Sequence, residues 1–322
     1  MNKLLVSAAL LLPCFLAHSQ ASDEFGSAAE LSVIARAEYL SSDPLGNTSL
    51  YTLLEGSISE HFSYSISNHW LSSTPGDLYS NTFHSDNVNW LDWSYLTFNS
   101  GKWDISLGKM PILWGTHEFD EYDYNIHLPF ASSVWNSMNS YQWGISTAYN
   151  FDDVRKLEVA YTTSPFGERF FTSNLYTFGV RAVRDDDIVS IRAAYNLFGT
   201  GAGDEFGTYS AGVKYYCLDN LSFTLDGQNV VGSDESLLAR GKAVAFSADY
   251  APIEQVETRF YTDFEYCKSL DTKYGTVGLL ASYSPFEFVK FHALCAYKYG
   301  DVPEEASWNF SVGLICSFGK KW

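Results

Sequence analysis

Along most of the chain, apolar and polar residues alternate with period 2, the pattern of a β-strand with two unlike faces. In 31–39, Leu31, Val33, Ala35, Ala37 and Tyr39 share one face, and Arg36 and Glu38 lie on the other. In 188–197, Val189, Ile191, Ala193, Tyr195 and Leu197 oppose Ser190, Arg192, Ala194 and Asn196. The same rhythm recurs in 209–217, 221–229 and 256–265. Followed to the end, it predicts about sixteen strands of ~8–12 residues, the length that crosses a bilayer when tilted. They fall near 31–40, 50–58, 62–71, 88–98, 102–110, 140–150, 155–164, 173–183, 188–198, 208–217, 221–229, 242–250, 256–265, 274–284, 288–297 and 307–318.

The gaps between these segments alternate in length. Short ones lie at 60–61, 99–101, 151–154, 184–187, 218–220, 251–255 and 284–287; long ones include 72–87, 111–139, 165–172, 199–207, 230–241, 266–273 and 298–306. Short turns at one rim and long loops at the other are the build of an outer-membrane barrel, and an even strand count puts both termini at the short-turn rim. An exported β-sandwich would also alternate. Here, however, the polar face carries Ser, Thr, Gly, Asn, Gln and paired charges, as a wet lumen does. The apolar face ends in aromatics such as Tyr39, Tyr149, Tyr161, Tyr195, Tyr250 and Tyr283, as interfacial girdles do. The predicted fold is an all-β, transmembrane antiparallel barrel. Its last strand closes on an aromatic, either Phe318 or Trp322.

Composition agrees. The 322 residues are 17% aromatic and only 18% charged, whereas a soluble domain carries roughly 25% charge. A net charge of −18 excludes a nucleic-acid partner, which needs a basic face. Lys3, the apolar run 4–16 and Ser19-Gln20-Ala21 form an export signal. The expected organisation is a signal peptide over 1–21 and a barrel domain over 22–322. Five cysteines form no C-x-x-C pair. With Tyr297 opposite Ser307, Cys295 would face Asn309 and stand far from Cys316, so no disulfide between those two is expected.

The stretches LDWSYLTF at 91–98, WDISLGK at 103–109 and EFDEYD at 118–123 resemble the phosphate-selective porin O/P family and its Bacteroidetes-type outer-membrane relatives. The likeness is strongest over 88–150. It implies a sixteen-stranded porin, often trimeric, that passes small hydrophilic solutes and ions by diffusion. The Arg ladder and Lys cluster that phosphate selectivity needs are absent from this sequence. The third external loop, 111–139, is long and too aromatic to hang free in water. By likeness to general-diffusion porins it should fold inward, with Trp114, Phe119, Tyr122 and Tyr124 against the wall. Glu118, Asp120, Glu121 and Asp123, with His117, would then stand at the constriction.

On the strands, Arg36, Glu38, Glu55, Asp92, Asp104, Arg181, Arg192, Lys214, Asp226, Asp249, Glu257, Arg259, Asp263 and Lys290 fall on the polar face as pore-lining residues, with Lys156, Glu158 and Glu265 beside them. Rings of charge set which ions enter a pore. This mixed wall and the acidic loop predict a weak preference for cations; cross-strand ion pairs are the other reading of the same residues. No enzyme activity, metal or cofactor is expected. His117 with three nearby acids is a sparse ligand set, and no Ser/His/acid constellation shows in the sequence; His292 is the one lumenal histidine that stands out. An anion- or phosphate-selective pore, or a barrel with an enzymatic or adhesive role, is the alternative. The partners expected are outer-membrane lipid, permeating solutes and ions, and two further copies of the chain in a homotrimer.

Overall fold

The computed structural model describes residues 28–40, 49–71, 91–117, 140–166, 175–200, 205–232, 241–267, 271–301 and 308–322. The expected signal peptide, and most of the external loops, lie outside them. The described residues form β1 (Ala28–Leu40), β2 (Ser49–Ser59), β3 (Phe62–Leu71), β4 (Leu91–Asn99), β5 (Trp103–Pro111), β6 (Tyr141–Asn150), β7 (Arg155–Thr163) and β8 (Tyr176–Asp185). They continue with β9 (Val189–Gly199), β10 (Glu205–Leu218), β11 (Leu221–Gly232), β12 (Gly241–Ile253), β13 (Val256–Cys267), β14 (Thr272–Phe286), β15 (Val289–Gly300) and β16 (Trp308–Lys321). Each pairs antiparallel with its neighbours in sequence, and β1 pairs with β16, so the sixteen strands close into a barrel. Closure gives every strand two partners, the condition for a sheet to cross lipid.

All seven short connections are turns at one rim. That rim also holds both ends of the described chain: the Trp322 amide donates to the Ala29 carbonyl at 2.9 Å and the Ala29 amide to the Trp322 carbonyl at 3.3 Å. Several strands outrun the expected length, and β14 reaches 15 residues. The extra length lies in hairpins that keep pairing past a register shift, at Tyr216/Leu218, Tyr250/Ile253 and Tyr283/Phe286. One register differs from the expected pairing. Tyr297 faces Trp308, not Ser307, which sets Cys295 against Phe310 and Cys316 against Val289. A slip of one residue would have matched lipid-facing side chains with lumenal ones, which the period-2 pleat forbids.

Leu107, Leu225, Val312 and Tyr39 are among the exposed apolar residues of the outer surface. Aromatic pairs mark two girdles. Trp103–Tyr149, with centroids 4.8 Å apart, and Phe286–Phe288, 5.6 Å apart, lie at the short-turn rim. Tyr161–Tyr176, Tyr195–Tyr209 and Tyr297–Trp308 lie toward the long-loop rim. An apolar belt between two aromatic bands places the barrel in the outer membrane. Facing inward are two apolar patches, one of Ile112, Trp114, Phe198, Phe206 and Val230, the other of Tyr261, Leu280, Leu294 and Ala296.

Candidate functional site: the lumen and the strap that enters it

β5 ends at Pro111, which has no amide hydrogen with which to extend a ladder. The next six residues, 112–117, are all buried. This strap lies outside any ladder, so its buried backbone groups need partners, and the inward side chains of β8–β11 supply them. Asn196 Nδ2 donates to the Leu113 carbonyl at 2.7 Å, and Arg181 Nη1 to the Trp114 carbonyl at 3.3 Å. The Gly115 amide donates to Ser210 Oγ at 2.9 Å, and the His117 amide to Asp226 Oδ1 at 2.9 Å. The His117 ring also bridges the wall, with Nε2 3.0 Å from Ser190 Oγ and Nδ1 3.4 Å from Asp226 Oδ1.

Packing completes the attachment. Trp114 is 2% exposed and packs with Ile112 against Phe198, Phe206 and Val230, the last three from β9, β10 and β11; Phe166 closes over them. Two glycines let the strap lie flush. A Cβ on Gly115 would come within 2.3 Å of the Ser210 carbonyl oxygen, and one on Gly212 within 2.1 Å of Asp226 Oδ1 and 2.6 Å of His117 Nδ1.

The rest of the wall carries charge, mostly in cross-strand sets. Arg181 Nε donates to Glu158 at 2.5 Å, and Lys156 lies 3.2 Å from the same carboxylate. Arg259 donates to Asp249, which also lies 3.9 Å from Lys214. Lys290 stands 3.4 Å from Glu257, and Arg192 3.9 Å from Asp185. Arg36 lies 3.8 Å from Glu38, whose other oxygen is 3.5 Å from His292 Nε2. Further acids accept from neutral donors. Glu55 accepts from Ser65 at 2.9 Å, Asp104 from Asn99 at 2.5 Å and Asn150 at 2.9 Å, Asp263 from the Thr276 amide, and Glu265 from the Tyr274 hydroxyl at 2.8 Å.

Two expected positions change. His117 does not face open water; it is 4% exposed, held between strap and wall. Asp92 leaves the pore-lining row of β4, which is Trp93, Tyr95 and Thr97, with Trp93 Nε1 donating to Ser65 and the Thr97 hydroxyl meeting that of Ser106. Asp92 sits where the β3–β4 register shifts, buried with Lys109, which donates to the Leu91 carbonyl and runs in step with outward Leu107. Asp92 shares the outward parity of Ser94 and Leu96, because β4 turns Trp93 and Tyr95 inward, against the rule that polar residues mark the lumenal side. Glu118, Asp120, Glu121 and Asp123, with Phe119, Tyr122 and Tyr124, lie outside the described residues.

The strap's receptor residues Ser190, Asn196, Ser210 and Gly212 carry no signal of their own in a polar strand face. A signal does exist in Phe198, Phe206 and Val230: apolar residues on the polar parity of three successive strands, near their long-loop ends.

No protein-family model matches the chain, and no curated protein is similar to it in sequence. Its fold is shared with solved outer-membrane structures. The anion-selective porin from Comamonas acidovorans superposes with a TM-score of 0.69 at 12% identity, over 91% of this chain and 100% of that one. The outer membrane channel DcaP of Acinetobacter baumannii gives 0.63 at 11% identity, over 94% and 100%. OmpT, an outer membrane protein of Vibrio cholerae, gives 0.61 in its trimer form at 11% identity, over 91% and 99%. At these identities the likeness speaks for the architecture.

Proposed function

We propose that this protein is a diffusion porin, passing small hydrophilic solutes and ions through a water-filled lumen without chemistry of its own. The observation that carries this reading is the wet, charged inner wall of a sixteen-strand ring. The side chains of Glu257 and Lys156 are 60% and 40% exposed on it. Small barrels fill their interior with side chains, whereas wide ones leave a channel. A weak preference for cations goes with this. The strong bases Arg181 and Arg259 are matched to Glu158 and Asp249, while Glu55, Asp104 and Asp263 accept from neutral donors. A homotrimer is the proposed assembly, in keeping with the trimer form among the similar structures. Planar-bilayer recording tests the reading: stepwise ohmic conductance, with a reversal potential of cationic sign that shrinks at high salt, is expected. A folded barrel that passes no current would sink it, and a clear anion preference would overturn the charge reading.

One constellation favours a second reading. Ser190, His117 and Asp226 stand in the order of a hydrolytic triad, serine at Nε2 and acid at Nδ1. Against it, Ser190 is 1% exposed beneath the strap, and the Asp226 oxygen that meets the ring also accepts the His117 amide. An attacking hydroxyl needs room for a substrate carbonyl and for oxyanion donors. Ester hydrolysis that vanishes in Ser190→Ala would establish the enzyme; equal background rates in both proteins would leave the triad as a fastening.

A further inference from the structure

Toward the short-turn rim, the lumenal wall of β10–β14 borders a half-open cavity of about 310 Å³, at the lower end of the ~300–1,000 Å³ typical of ligand sites. Its strand lining carries both signs: Lys214 and Arg259 with Asp249 and Glu257. Asp249 lies between the two bases, hydrogen-bonded by Arg259 Nε and 3.9 Å from Lys214 Nζ. Glu257 stands one inward position further along β13, opposite Ser282, and 60% of its side chain is exposed, so it offers a carboxylate face to the lumen. Tyr216 adds an aromatic surface, with the Lys214 ammonium 5.8 Å from its ring centroid.

The mixture of charges selects among solutes. A simple anion drawn to Arg259 and Lys214 is also brought against Asp249 and Glu257. A simple cation drawn to the acids meets the two bases. Only a solute with both an ammonium and a carboxylate can present each to its opposite, trading into existing pairs without leaving either bare. Tyr216 and Leu280 then provide apolar surface for the body of such a molecule.

We infer that this cavity is a transit site for small zwitterions, amino acids and short peptides, with the carboxylate on Arg259 and Lys214 and the ammonium on Glu257. The assignment rests on the porin reading and narrows its substrate class. Occupancy must be weak, since a solute that passes has to leave as readily as it enters.

Single-channel recording of the full chain separates the two. Glutamine, a net-neutral zwitterion, and glucose, an uncharged solute of similar size, are each added on the short-turn side. Glutamine should reduce the ion current saturably in the millimolar range, and glucose only in proportion to concentration. The double variant Lys214→Gln/Arg259→Gln should lose at least tenfold in apparent glutamine affinity. Glu257→Gln, a near-isosteric change at a side chain that is 60% exposed, should lose severalfold and guards against misfolding of the double variant. Wild-type channels that conduct yet respond alike to glutamine and glucose would overturn the transit site and leave the porin intact. So would a Glu257→Gln channel that responds to glutamine as the wild type does. A heat-modifiable, β-rich barrel with no current at all would overturn the porin reading and the site with it.

Discussion

The inner wall uses one grammar for two purposes. On β8–β11, the inward residues that meet the strap are two hydroxyls, one amide, three apolar side chains, one acid and one base: Ser190, Ser210, Asn196, Phe198, Phe206, Val230, Asp226 and Arg181. All but Arg181 are buried, and together they hold 112–117. On β12–β15, beside the buried patch of Tyr261, Leu280, Leu294 and Ala296, the inward residues toward the short-turn rim include Asp249, Glu257, Arg259 and Lys290, which pair with one another and keep water access. The difference is one of satisfaction. A polypeptide segment outside a ladder presents bare amides and carbonyls, which Asn196 and Ser210 satisfy at little desolvation cost and Asp226 and Arg181 satisfy as charged partners. Guanidinium and carboxylate groups satisfy each other and gain from remaining partly hydrated. One arc of the ring therefore became a dock and the other a lining.

Breaking the dock should have the largest effects. Trp114→Ala removes the anchor of the apolar patch, a loss of about 3–5 kcal/mol by analogy with other buried aromatic truncations. It should free the strap to limited proteolysis within 112–117 and raise single-channel conductance, with β-sheet content unchanged. Gly212→Val should come next. Its side chain would occupy the space of Asp226 Oδ1 and His117 Nδ1, costing up to ~3 kcal/mol as overpacking does. Conductance should shift as for Trp114→Ala, whereas Gly227→Val, where the nearest atom to a Cβ is 4.0 Å away, should leave it unchanged.

Arg181 sharpens the comparison because it makes both kinds of contact, binding Glu158 on the wall and the Trp114 carbonyl on the strap. Arg181→Gln should cost about 1.5 kcal/mol, the scale of a hydrogen bond to a charged group. It leaves Glu158 with Lys156 as its remaining base, so the reversal potential should move toward cations more than conductance changes. An unchanged reversal potential would mean that the wall charges near the strap do not see the permeating ions.

The smallest effect belongs to the rim. In the turn after β8, the Val189 amide above all, then the Arg184 guanidinium and the Ile188 amide, hold the Asp186 carboxyl below the ordinary carboxylate range. A carboxyl with a depressed folded pKa stabilises the fold above its unfolded value, and that contribution fades as the pH falls through the folded one. Urea unfolding of wild type and Asp186→Asn should therefore differ slightly at neutral pH and converge below about pH 4. A gap that widens in acid would contradict the assignment.

Strand number, faces and rims are legible in the sequence because the pleat is local. Each side chain's side follows from its neighbour's, and a membrane demands one apolar side throughout. Arg36, Glu38, Arg181, Asp249 and Arg259 could be assigned to the lumen for that reason. Asp92 could not, because β4 faces its aromatics Trp93 and Tyr95 inward and its polar parity outward, the reverse of the pattern on the other strands. The cross-lumen meetings were beyond reach for a different reason. Ser190 stands 73 residues from His117, and Asp226 stands 109. Which inward residues face the strap depends on how the closed ring is staggered, a property of all its registers together. The sequence by itself determined a membrane ring with a polar inside. The closed tertiary structure alone decided which arc of that inside would be covered by 112–117 and where the paired charges would meet the pore.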